Sequence, residues 1–368
     1  MTARGLLLAL DFPPASGGIS RLLEDWIVDT DVMEWRVITT TPGPQSARRA
    51  YMPLRSMLRV AAKDGAAWCR QAQERMVVAG HPYLSGLAVA AASVIRARSG
   101  CVVYGRELVP HGIKHRLALM PLAAVGSVVG ISDHSATLAI AAGARRNRVT
   151  VVRPRLRPFW VASTIPRRPP GRGLRLVTVS RLSEGYKNLE LLLRLTAVLH
   201  PLGVVDRLTI VGGGPRHGAL RDKAIALGVG DVVALPGHLT DDEIGRLLTG
   251  CDVGLFASRD SISERGFEGF GLVVHELAAA GLPVLVGAAA GALDAAVEPW
   301  ARLLDPDDLW SWVEAVEELY ASEATRAGMG EAALDWTLSA EPTRSARDFA
   351  CGLLHPRAAG SNEQGATV

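Results

Sequence analysis

The sequence contains little cysteine, little lysine and no long apolar run. Its four cysteines form no CxxC pair: Cys69, Cys101, Cys251 and Cys351. This spacing predicts a reduced protein without a cysteine-held metal. The longest uncharged stretch, Leu117–Ser132, is interrupted by Pro121 and is shorter than the ~20 residues of a membrane-spanning helix. The first apolar segment already ends at Asp11, which is too short for a signal peptide. We therefore expect a cytoplasmic protein.

The charge of the chain is weak and its basic residues are unevenly chosen. The net charge is +3, which is too small to indicate a nucleic-acid-binding protein. Arginine supplies 36 of the 40 basic residues and lysine only four, a bias that a GC-rich genome explains. The length of 368 residues suits about two domains of ordinary size.

Short apolar runs alternate with helical patterns along nearly the whole chain, which predicts an α/β protein with doubly wound parallel sheets. The stretch Ile165–Arg175 is rich in Pro, Arg and Gly and breaks both periods. We therefore predict two Rossmann-like domains that face a central crevice, since ligands of such sheets bind beyond the carboxyl ends of the strands. The predicted bounds are an N-terminal domain over 1–165, a linker over 166–175, a second domain over 176–340, a C-terminal helix over 341–357 packed back on the first domain, and a flexible tail over 358–368.

Two glutamates interrupt the otherwise glycine-rich and apolar segment RGFEGFGLVVHELAAAGLPVLV. Glu268 precedes, and Glu276 lies within, a helix that we predict over Gly269–Ala280. The N–H groups and dipole of a helix start favour an anion. If every intervening residue were helical, the two Cα atoms would lie ~12 Å apart, longer than the ~5–9.5 Å of hydrolytic carboxylate pairs. An elongated nucleotide-sugar fits this spacing. The structural alternative makes Glu268 a helix cap and Glu276 a locally paired acid.

Two cations and two glycine-rich segments lie at other predicted strand ends. Arg181 and Lys187 flank a turn after a strand, where they would neutralise a diphosphate, or would simply be solvated. Gly17–Gly18 opens a helix and would let a ligand approach the backbone. The segment IVGGGPRHG resembles a dinucleotide loop, but the acid expected at the end of the following strand is missing, so we do not expect a nicotinamide cofactor.

Further polar residues in the N-terminal half suggest weaker hypotheses. His81 ends one predicted strand, and Tyr104, Arg106 and Glu107 end another, so these four are candidates for contacts with an acceptor; a structural role is the alternative for His81. A ten-arginine, acid-free stretch from Arg145 to Arg175 is either a solvated linker or a basic wall. Arg55, Arg59 and Lys63 recur every four residues near Met57, Leu58 and Trp68, which suggests a peripheral membrane patch.

Taken in this order, the motifs resemble the retaining GT-B glycosyltransferases of family 4, over nearly the whole chain. The similar segments are FPPASGGIS, SRL with YKN, IVGGGPRHGALRDKA, LPGHLTDDEIGRLLTGCDVGLFAS and EGFGLVVHELAAAGLPVL. The last is similar to the family's E-x7-E signature, and the segments also resemble those of phosphatidylinositol mannosyltransferase-like enzymes. The resemblance implies a hexosyltransferase without metal or cofactor. Its donor would be a nucleotide-diphosphate sugar of the UDP or GDP type, and its acceptor a hydroxyl of a lipid-linked glycan, cell-envelope glycan or secondary metabolite.

The same resemblance implies roles for individual residues. Glu268 would hold the donor-sugar hydroxyls and Glu276 the ribose, while Arg181 and Lys187 would clamp the diphosphate. Glu268, Arg181 and Lys187 form the implied catalytic set. The remaining implied donor contacts come largely from backbone at Phe270, Gly271, Leu272, Val273, Gly17, Gly18, His238 and Leu239.

Two departures from the family pattern bear on activity. Where close relatives carry histidines in an H-G-H-E-like stretch, this sequence reads YGRE, so a histidine near the reacting sugar is missing. The usual NG after the last strand of the first domain is replaced by VVRPRLRP. A GT-B protein that binds a nucleotide or partner without transfer, or a sugar-nucleotide epimerase, are therefore the alternative functions.

Overall fold

The chain divides into two α/β units. The computed structural model describes residues 3–13, 17–28, 30–42, 49–51, 53–69, 72–155, 162, 172–261, 266–339 and 344–356. One unit comprises Met1–Leu156 with Glu341–Val368, and the other comprises Arg157–Ala340. The second unit thus begins before the linker predicted over 166–175, most of which lies outside the described residues, as does the tail predicted over 358–368.

The first unit is built on a seven-stranded parallel sheet with the order β3-β2-β1-β4-β5-β6-β7. Its strands are β1 (Ala3–Ala9), β2 (Met33–Thr39), β3 (Arg49–Tyr51), β4 (Arg75–Ala79), β5 (Arg98–Val103), β6 (Ser127–Gly130) and β7 (Val149–Val151). Its helices before the second unit are α1 (Gly18–Trp26), α2 (Leu54–Cys69), α3 (Ser85–Ile95), α4 (Ile113–Leu119) and α5 (Asp133–Ala141). The central strands are buried almost throughout, as expected for a parallel sheet that helices cover on both faces.

The second unit repeats this plan with a six-stranded parallel sheet, in the order β10-β9-β8-β11-β12-β13. Its strands are β8 (Leu174–Val179), β9 (Val205–Val211), β10 (Val233–Gly237), β11 (Val253–Phe256), β12 (Val284–Gly287) and β13 (Ala301–Leu304). Its helices are α6 (Leu189–Leu199), α7 (His217–Ala226), α8 (Asp241–Leu248), α9 (Leu272–Ala279), α10 (Ala292–Ala295), α11 (Leu309–Ala321) and α12 (Glu323–Leu338). Leucines of α6 and buried residues of α11 pack into one core with the strands.

The last described helix, α13 (Arg344–Leu354), belongs to the first unit although it follows the second in sequence. Phe349 stacks on Trp26 with 4.6 Å between ring centroids, and the Trp26 indole N–H donates to Ser345 Oγ at 2.7 Å. At the other end of α13, the Ser127 hydroxyl donates to the Leu353 carbonyl at 2.6 Å. The returning helix therefore covers one face of the first sheet through aromatic stacking and buried hydrogen bonds.

The residues of the membrane patch suggested on α2 have different environments: Leu58, Arg59 and Lys63 are exposed, whereas Met57 and Trp68 are covered. Met57 is fully buried, and Trp68 is covered by the guanidinium groups of Arg4 and Arg36, whose Cζ atoms lie 4.3 and 4.6 Å from its ring centroid. Both residues thus contribute to the packing of the first unit and are not offered to a membrane. The Arg55 side chain lies outside the described part of the chain. Among the residues described, no helix combines the length and the apolar character needed to cross a membrane.

Candidate functional site

The candidate site of the second unit lies where its strand order reverses. The chain leaves β8 towards β9 on one side and leaves β11 towards β12 on the other, although β8 and β11 are neighbours. In doubly wound sheets, such a switch point leaves a crevice beyond the carboxyl ends of the two strands. Arg181 and Lys187 follow β8, and Glu268 follows β11. The topology therefore brings together residues that are 81 positions apart in sequence.

A carboxylate, an ammonium group and a hydroxyl meet at this point. Lys187 Nζ is ion-paired with Glu268 Oε1, and the Ser258 hydroxyl donates to the same oxygen at 2.8 Å. The Lys187 and Glu268 side chains are each only 11% exposed, so water screens their interaction less than on an open surface. Ser258 is buried and fixes the carboxylate from the side of β11. The result is a preorganised polar pair that can bind hydroxyl or phosphate groups.

The Arg181 side chain is more exposed to solvent than that of Lys187. Its side chain is 69% exposed, and its Nη2 lies 3.7 Å from Glu184 Oε1. A contact this long and this exposed contributes little to stability, so Arg181 can exchange it for an anionic ligand at small cost.

The three glycines of the GGGP segment support the loop that carries these cations. A Cβ on Gly212 would lie 1.9 Å from the Ser180 carbonyl oxygen, and one on Gly214 would lie 2.5 Å from the Leu182 carbonyl carbon. Both glycines also have φ values in the left-handed region, 133° and 153°. The Leu182 N–H donates to the Gly213 carbonyl at 2.9 Å. The glycines therefore allow close packing of two loops, which gives the motif a structural role.

Arg216 connects this loop to the next helix. Its guanidinium donates to the Glu184 carbonyl at 3.1 Å and to Glu190 Oε1 of α6 at 2.8 Å. Its backbone N–H donates to the Leu182 carbonyl at 2.9 Å. Further along, Asn188 Nδ2 donates to the Pro306 carbonyl at 2.7 Å. The segment from Arg181 to Lys187 is thus held at both ends, which fixes the position of its cations.

The helix beside Glu268 begins later than the sequence suggested. It starts at Leu272, and Gly271 precedes it with a φ of 97°, so the predicted start at Gly269 is wrong. A Cβ on Gly271 would lie 3.0 Å from Phe256 Cζ, and its left-handed conformation cannot continue a helix. Glu268 therefore lies outside the helix, and its side chain bonds to Ser258 and Lys187 instead of capping it.

The start of α9 has the features of an anion site. The first N–H groups of a helix have no partner within it, and the helix dipole makes this end positive. The backbone just before it is fixed, because the Gly291 N–H donates to the Glu268 carbonyl at 3.1 Å. The predicted backbone contacts Phe270, Gly271, Leu272 and Val273 all lie in this region, and Glu276 is half-buried one turn further on.

Aromatic rings also pack around His275 of α9. His275 Nε2 lies 3.1 Å from the Ala295 carbonyl oxygen, and its ring is 4.5 Å from that of Trp336 and 5.2 Å from that of Phe270. Trp300 stands edge-on to His275 at 6.2 Å. These contacts fix the position of α9 relative to α10, to α12 and to the Phe270 that follows Glu268 by two residues.

His238 and Leu239, the predicted base contacts, follow β10 of the same sheet. His238 is exposed, and a Cβ on Gly213 would lie 2.7 Å from its Cδ2. The histidine ring therefore packs against the glycine segment, and its placement depends on that glycine.

The candidate residues of the first unit form a separate group. Gly17 precedes α1 with a φ of 140°, and a Cβ there would meet no atom within 4 Å, so its backbone faces open space beside Gly18. Pro14–Ser16 of the same motif lie outside the described residues. Gly17 thus leaves room for close approach of a ligand to the start of α1.

Tyr104 and Glu107 are engaged in the structure of their own unit. The Tyr104 hydroxyl donates to the Gly80 carbonyl at 2.7 Å, and the Tyr104 N–H donates to Glu107 Oε1 at 2.6 Å. Burial raises the pKa of Glu107, against the lowering effect of its backbone hydrogen bonds. Both side chains hold the turn after β5, whereas Arg106 within that turn is exposed. Of the YGRE segment, only Arg106 presents its side chain to solvent.

His81 lies beside this turn, at the end of β4. Its Nδ1 accepts from the Tyr83 N–H at 3.3 Å. Burial lowers the pKa of His81 to about 4, Asp11 opposes that shift, and His115 adds to it. His81 is therefore neutral at physiological pH, with Nε2 as its N–H donor.

Comparison with known proteins matches the second unit. Residues 167–336 match the family model described as glycosyl transferases group 1. They form a glycosyl transferases group 1 domain. This domain contains all the candidate residues from Arg181 to Glu276.

Curated relatives resemble part of the chain. A GDP-mannose-dependent alpha-(1-6)-phosphatidylinositol monomannoside mannosyltransferase of Mycobacterium tuberculosis is 33% identical over 130 residues, covering 35% of this chain and 34% of its own. A D-inositol 3-phosphate glycosyltransferase of Stackebrandtia nassauensis is 32% identical over 148 residues, covering 39% of this chain and 32% of its own. The matched segments thus span about a third of the length of these relatives.

Solved structures share the fold of both units. Anabaena Alr3699/HepE in complex with UDP superposes with a TM-score of 0.73 at 18% identity, covering 95% of this chain and 99% of its own. The lipopolysaccharide glycosyltransferase WaaG has a TM-score of 0.60 at 16% identity, with 96% and 99% coverage. The fold is therefore GT-B, as the sequence predicted.

Two residues that support the glycosyl transferases group 1 domain were missed by the sequence analysis. Ser258 follows β11 at the switch point and orients Glu268, so a search of every strand end for hydroxyls would have found it. Arg216 lies inside the GGGPRHG motif, but its contacts with Glu184 and Glu190 depend on how two loops pack. No sequence pattern predicts that packing.

Proposed function

We propose that this chain is a retaining, metal-independent glycosyltransferase. It would move a hexosyl group from a nucleotide-diphosphate sugar to a hydroxyl acceptor. The observation that carries the proposal is the Lys187–Glu268 pair at the switch point of a glycosyl transferases group 1 domain, beside the start of α9. Glu268, Arg181 and Lys187 are its catalytic residues.

The donor's parts match the chemistry available around this pair. Carboxylates bind sugar hydroxyls strongly, which suits Glu268 for the transferred sugar and Glu276 for the ribose. The start of α9, Lys187 and Arg181 supply positive charge for the diphosphate. His238 and Leu239 follow the neighbouring strand, where the base would lie. Relatives named for GDP-mannose, and neighbours solved with UDP or UDP-glucose, support a donor of the GDP or UDP type.

The proposed reaction needs no nucleophile from the protein. The bond between the anomeric carbon and the diphosphate oxygen breaks, and Lys187, Arg181 and the helix start stabilise the negative charge on the leaving diphosphate. The acceptor hydroxyl forms its bond on the same face of the sugar, and its proton passes to a departing phosphate oxygen. The anomeric configuration is thereby retained. Within the described residues, no cluster of three His, Cys, Asp or Glu has the arrangement of a metal site; metal independence remains a prediction.

The acceptor is proposed by class. Hydroxyls of lipid-linked or cell-envelope glycans fit the relatives' printed names, which include a phosphatidylinositol monomannoside mannosyltransferase and a D-inositol 3-phosphate glycosyltransferase. A secondary metabolite is the other class. In the first unit, Gly17 and Gly18 would approach the donor, and His81 and Arg106 are the side chains left to contact an acceptor. We also propose peripheral membrane contact through this unit.

A binding protein without transferase activity is the second candidate function. The YGRE segment stands where the resemblance expects an H-G-H-E-like stretch, and the hydroxyl of its Tyr104 already donates to the Gly80 carbonyl. This side chain is therefore not available to the reacting sugar. Nucleotide binding without donor consumption would favour this second candidate.

The test combines binding and turnover. Titration calorimetry with UDP, GDP, dTDP and ADP in EDTA identifies the base, and release of the diphosphate from the matching sugar donors is then followed with lipid-linked and small hydroxyl acceptors. We expect one nucleotide series to bind without metal, and the product to keep the donor's anomeric configuration by NMR. Absence of diphosphate release with every acceptor, despite tight binding, would replace the proposal by the second candidate.

A further inference from the structure

The two oxygens of the Glu268 carboxylate have different environments. Oε1 accepts from the Ser258 hydroxyl at 2.8 Å and is ion-paired with Lys187 Nζ. A carboxylate oxygen has about two acceptor sites, so these two contacts fill Oε1. Within the described part of the chain, no residue donates to Oε2. Glu268 can therefore accept from a hydroxyl at Oε2, whereas contact with two neighbouring hydroxyls through both oxygens requires Lys187 to leave Oε1.

The Lys187 ammonium can move without its backbone. Asn188, the next residue, has a left-handed conformation with a φ of 54°, and its N–H donates to the Gly185 carbonyl at 2.9 Å. These features fix the turn, but the ammonium is carried on a flexible four-carbon stem, 5.2 Å from the centroid of the Tyr186 ring. Burial raises the pKa of Tyr186, and Lys187 and Arg181 both oppose that rise, so the two cations lie around the same ring. Rotation of the stem is thus enough to separate Lys187 from Glu268.

The proposed function gives the two partners of this ion pair different ligands. Lys187 is assigned to the diphosphate and Glu268 to the sugar. Their side chains are each 11% exposed, so water screens their attraction only weakly. When a ligand requires a group to leave a populated contact, its apparent affinity is reduced by the fraction of molecules in which that contact is open. The ion pair therefore competes with both ends of the donor.

We propose that the Lys187–Glu268 ion pair makes recognition of the transferred sugar depend on the donor's diphosphate, and that Ser258 is the positioning residue for this step. The diphosphate draws Lys187 away from Oε1, while the buried Ser258 keeps the carboxylate in place. Both oxygens of Glu268 can then accept from sugar hydroxyls. Free sugars and sugar 1-phosphates leave the ion pair formed and bind weakly. This selectivity rests on the proposed function and adds how the site distinguishes diphosphate-linked sugars from other sugars.

Titration calorimetry with UDP and GDP measures how strongly the ion pair opposes binding. Glu268→Gln keeps the size of the side chain and removes the charge that attracts Lys187. We expect this variant to bind the nucleoside diphosphate about five-fold more tightly than the wild type, as for an ion pair formed in about four of five molecules. UMP or GMP should bind both proteins equally, because a monophosphate lacks the terminal phosphate that draws Lys187 away.

A double-mutant cycle separates the ion pair from simple repulsion, because removal of a carboxylate also favours any nearby anion. In a Lys187→Gln background, Glu268→Gln should change the affinity for UDP or GDP by less than about two-fold. Glu318→Gln removes an exposed carboxylate elsewhere in the unit and should leave the affinity unchanged. A gain that persists without Lys187 would be direct repulsion and would overturn the proposal.

Lysine is rare enough in this chain for Lys187 to be observed directly by NMR. The chain contains four lysines, so labelling with ¹³C at Cε gives four signals, and Lys187→Gln identifies one of them. Glu268→Gln should shift the Lys187 signal. Saturation with UDP or GDP should remove most of the difference between the wild type and this variant. A difference that persists at saturation would show that the ammonium contacts phosphate and Glu268 together, which contradicts the proposed separation.

Ser258→Ala tests the positioning residue. The hydroxyl contacts Glu268 and not the diphosphate, so the variant should bind UDP or GDP within about two-fold of the wild type. The extra affinity of UDP-glucose over UDP, or of GDP-mannose over GDP, should fall by about five-fold, the value of one modest hydrogen bond. Equal losses for nucleotide and donor, with a lower thermal midpoint, would mean that Ser258 is only structural.

The outcomes for the wild type and for Glu268→Gln separate this selectivity from the proposed function. Equal affinities of the two proteins for UDP and GDP would overturn the role of the ion pair and leave donor transfer untouched. No binding of any nucleoside diphosphate to the wild type would overturn the proposed function itself, and the selectivity with it.

Discussion

The two units share a strand order but differ in what lies at their switch points. In the second unit, β8 and β11 end beside the Lys187–Glu268 ion pair, a buried serine and a helix start. In the first unit, β1 and β4 end beside Gly17 and a neutral histidine, His81. The strand ends of the second unit thus carry a buried ion pair, whereas those of the first carry an open glycine backbone and a neutral histidine near Asp11.

This difference shows that the strand order determines where a site can form, whereas the loops after the strands determine its chemistry. Parallel sheets with the same reversal bind unrelated ligands, because the side chains after each strand are free to change. We expect the second unit to account for donor binding and the first to tolerate more change.

The largest expected effect is on Glu268. Glu268→Gln keeps the size of the side chain but removes the charge that faces Lys187, so transfer should fall by about 10²–10³-fold. Diphosphate release measures this loss. Glu318→Gln breaks an exposed pair with Arg302 in the same unit and should leave the rate within about two-fold. Near-normal turnover of the Glu268 variant would remove the proposed site.

Lys187→Gln should separate diphosphate from monophosphate binding. Hydrogen bonds to charged groups contribute ~1.5–3 kcal/mol, so nucleoside diphosphate affinity should fall by about 10–100-fold. Nucleoside monophosphate affinity should change much less, because Lys187 is proposed to neutralise the diphosphate and a monophosphate lacks the terminal phosphate. Calorimetry with both ligands is the measurement, and Lys223→Gln on α7 is the control. Equal losses for both ligands would indicate a structural role for Lys187.

Both sheets, and the main candidate residues of the second unit, could be predicted from the sequence. Apolar runs alternating with helical periods predicted both sheets, while β3 and β7, with three residues each, are too short to show a period. Glu268, Arg181 and Lys187 were found because each follows a strand. Their direct pairing was not predicted, because it depends on the adjacency of β8 and β11.

The start of α9 was predicted incorrectly for a different reason. Local helix preference continues through Gly269 and Phe270 when only apolar periodicity is counted. Gly271, however, adopts a left-handed conformation against Phe256, a contact between distant residues, and this delays the helix to Leu272. Tertiary packing thus determines where α9 begins, which apolar periodicity alone did not predict.

The neutral histidine of the first unit, His81, should affect the pH dependence of stability. His81 has a folded pKa of about 4, below the ordinary value of 6.5. The unfolded state therefore binds more protons between these values, and stability falls as pH drops through that window. We expect the free energy of unfolding to lose about 1–2 kcal/mol between pH 7 and pH 5 through His81.

Chemical denaturation of the wild type and His81→Asn at both pH values isolates this contribution, because Glu107 and other acids titrate equally in the two proteins. The asparagine can still accept from the Tyr83 N–H. The variant should therefore show a smaller pH dependence than the wild type. Identical slopes would mean that His81 is solvated and can titrate freely in the folded state.

The smallest expected effect concerns Arg216 in the second unit. Arg216 contacts no ligand in the proposal; it acts by holding the Glu184 carbonyl and Glu190 beside the diphosphate clamp. Arg216→Gln should weaken nucleoside diphosphate binding by about five-fold, the value of one modest hydrogen bond, and leave monophosphate binding unchanged. Arg216→Lys, which can keep one of the two contacts, should recover part of the loss. Arg302→Gln, which breaks an exposed ion pair elsewhere in the unit, should change neither affinity. A purely structural role for Arg216 would lower the thermal midpoint and weaken both nucleotides alike, whereas a positioning role changes the ratio of the two affinities.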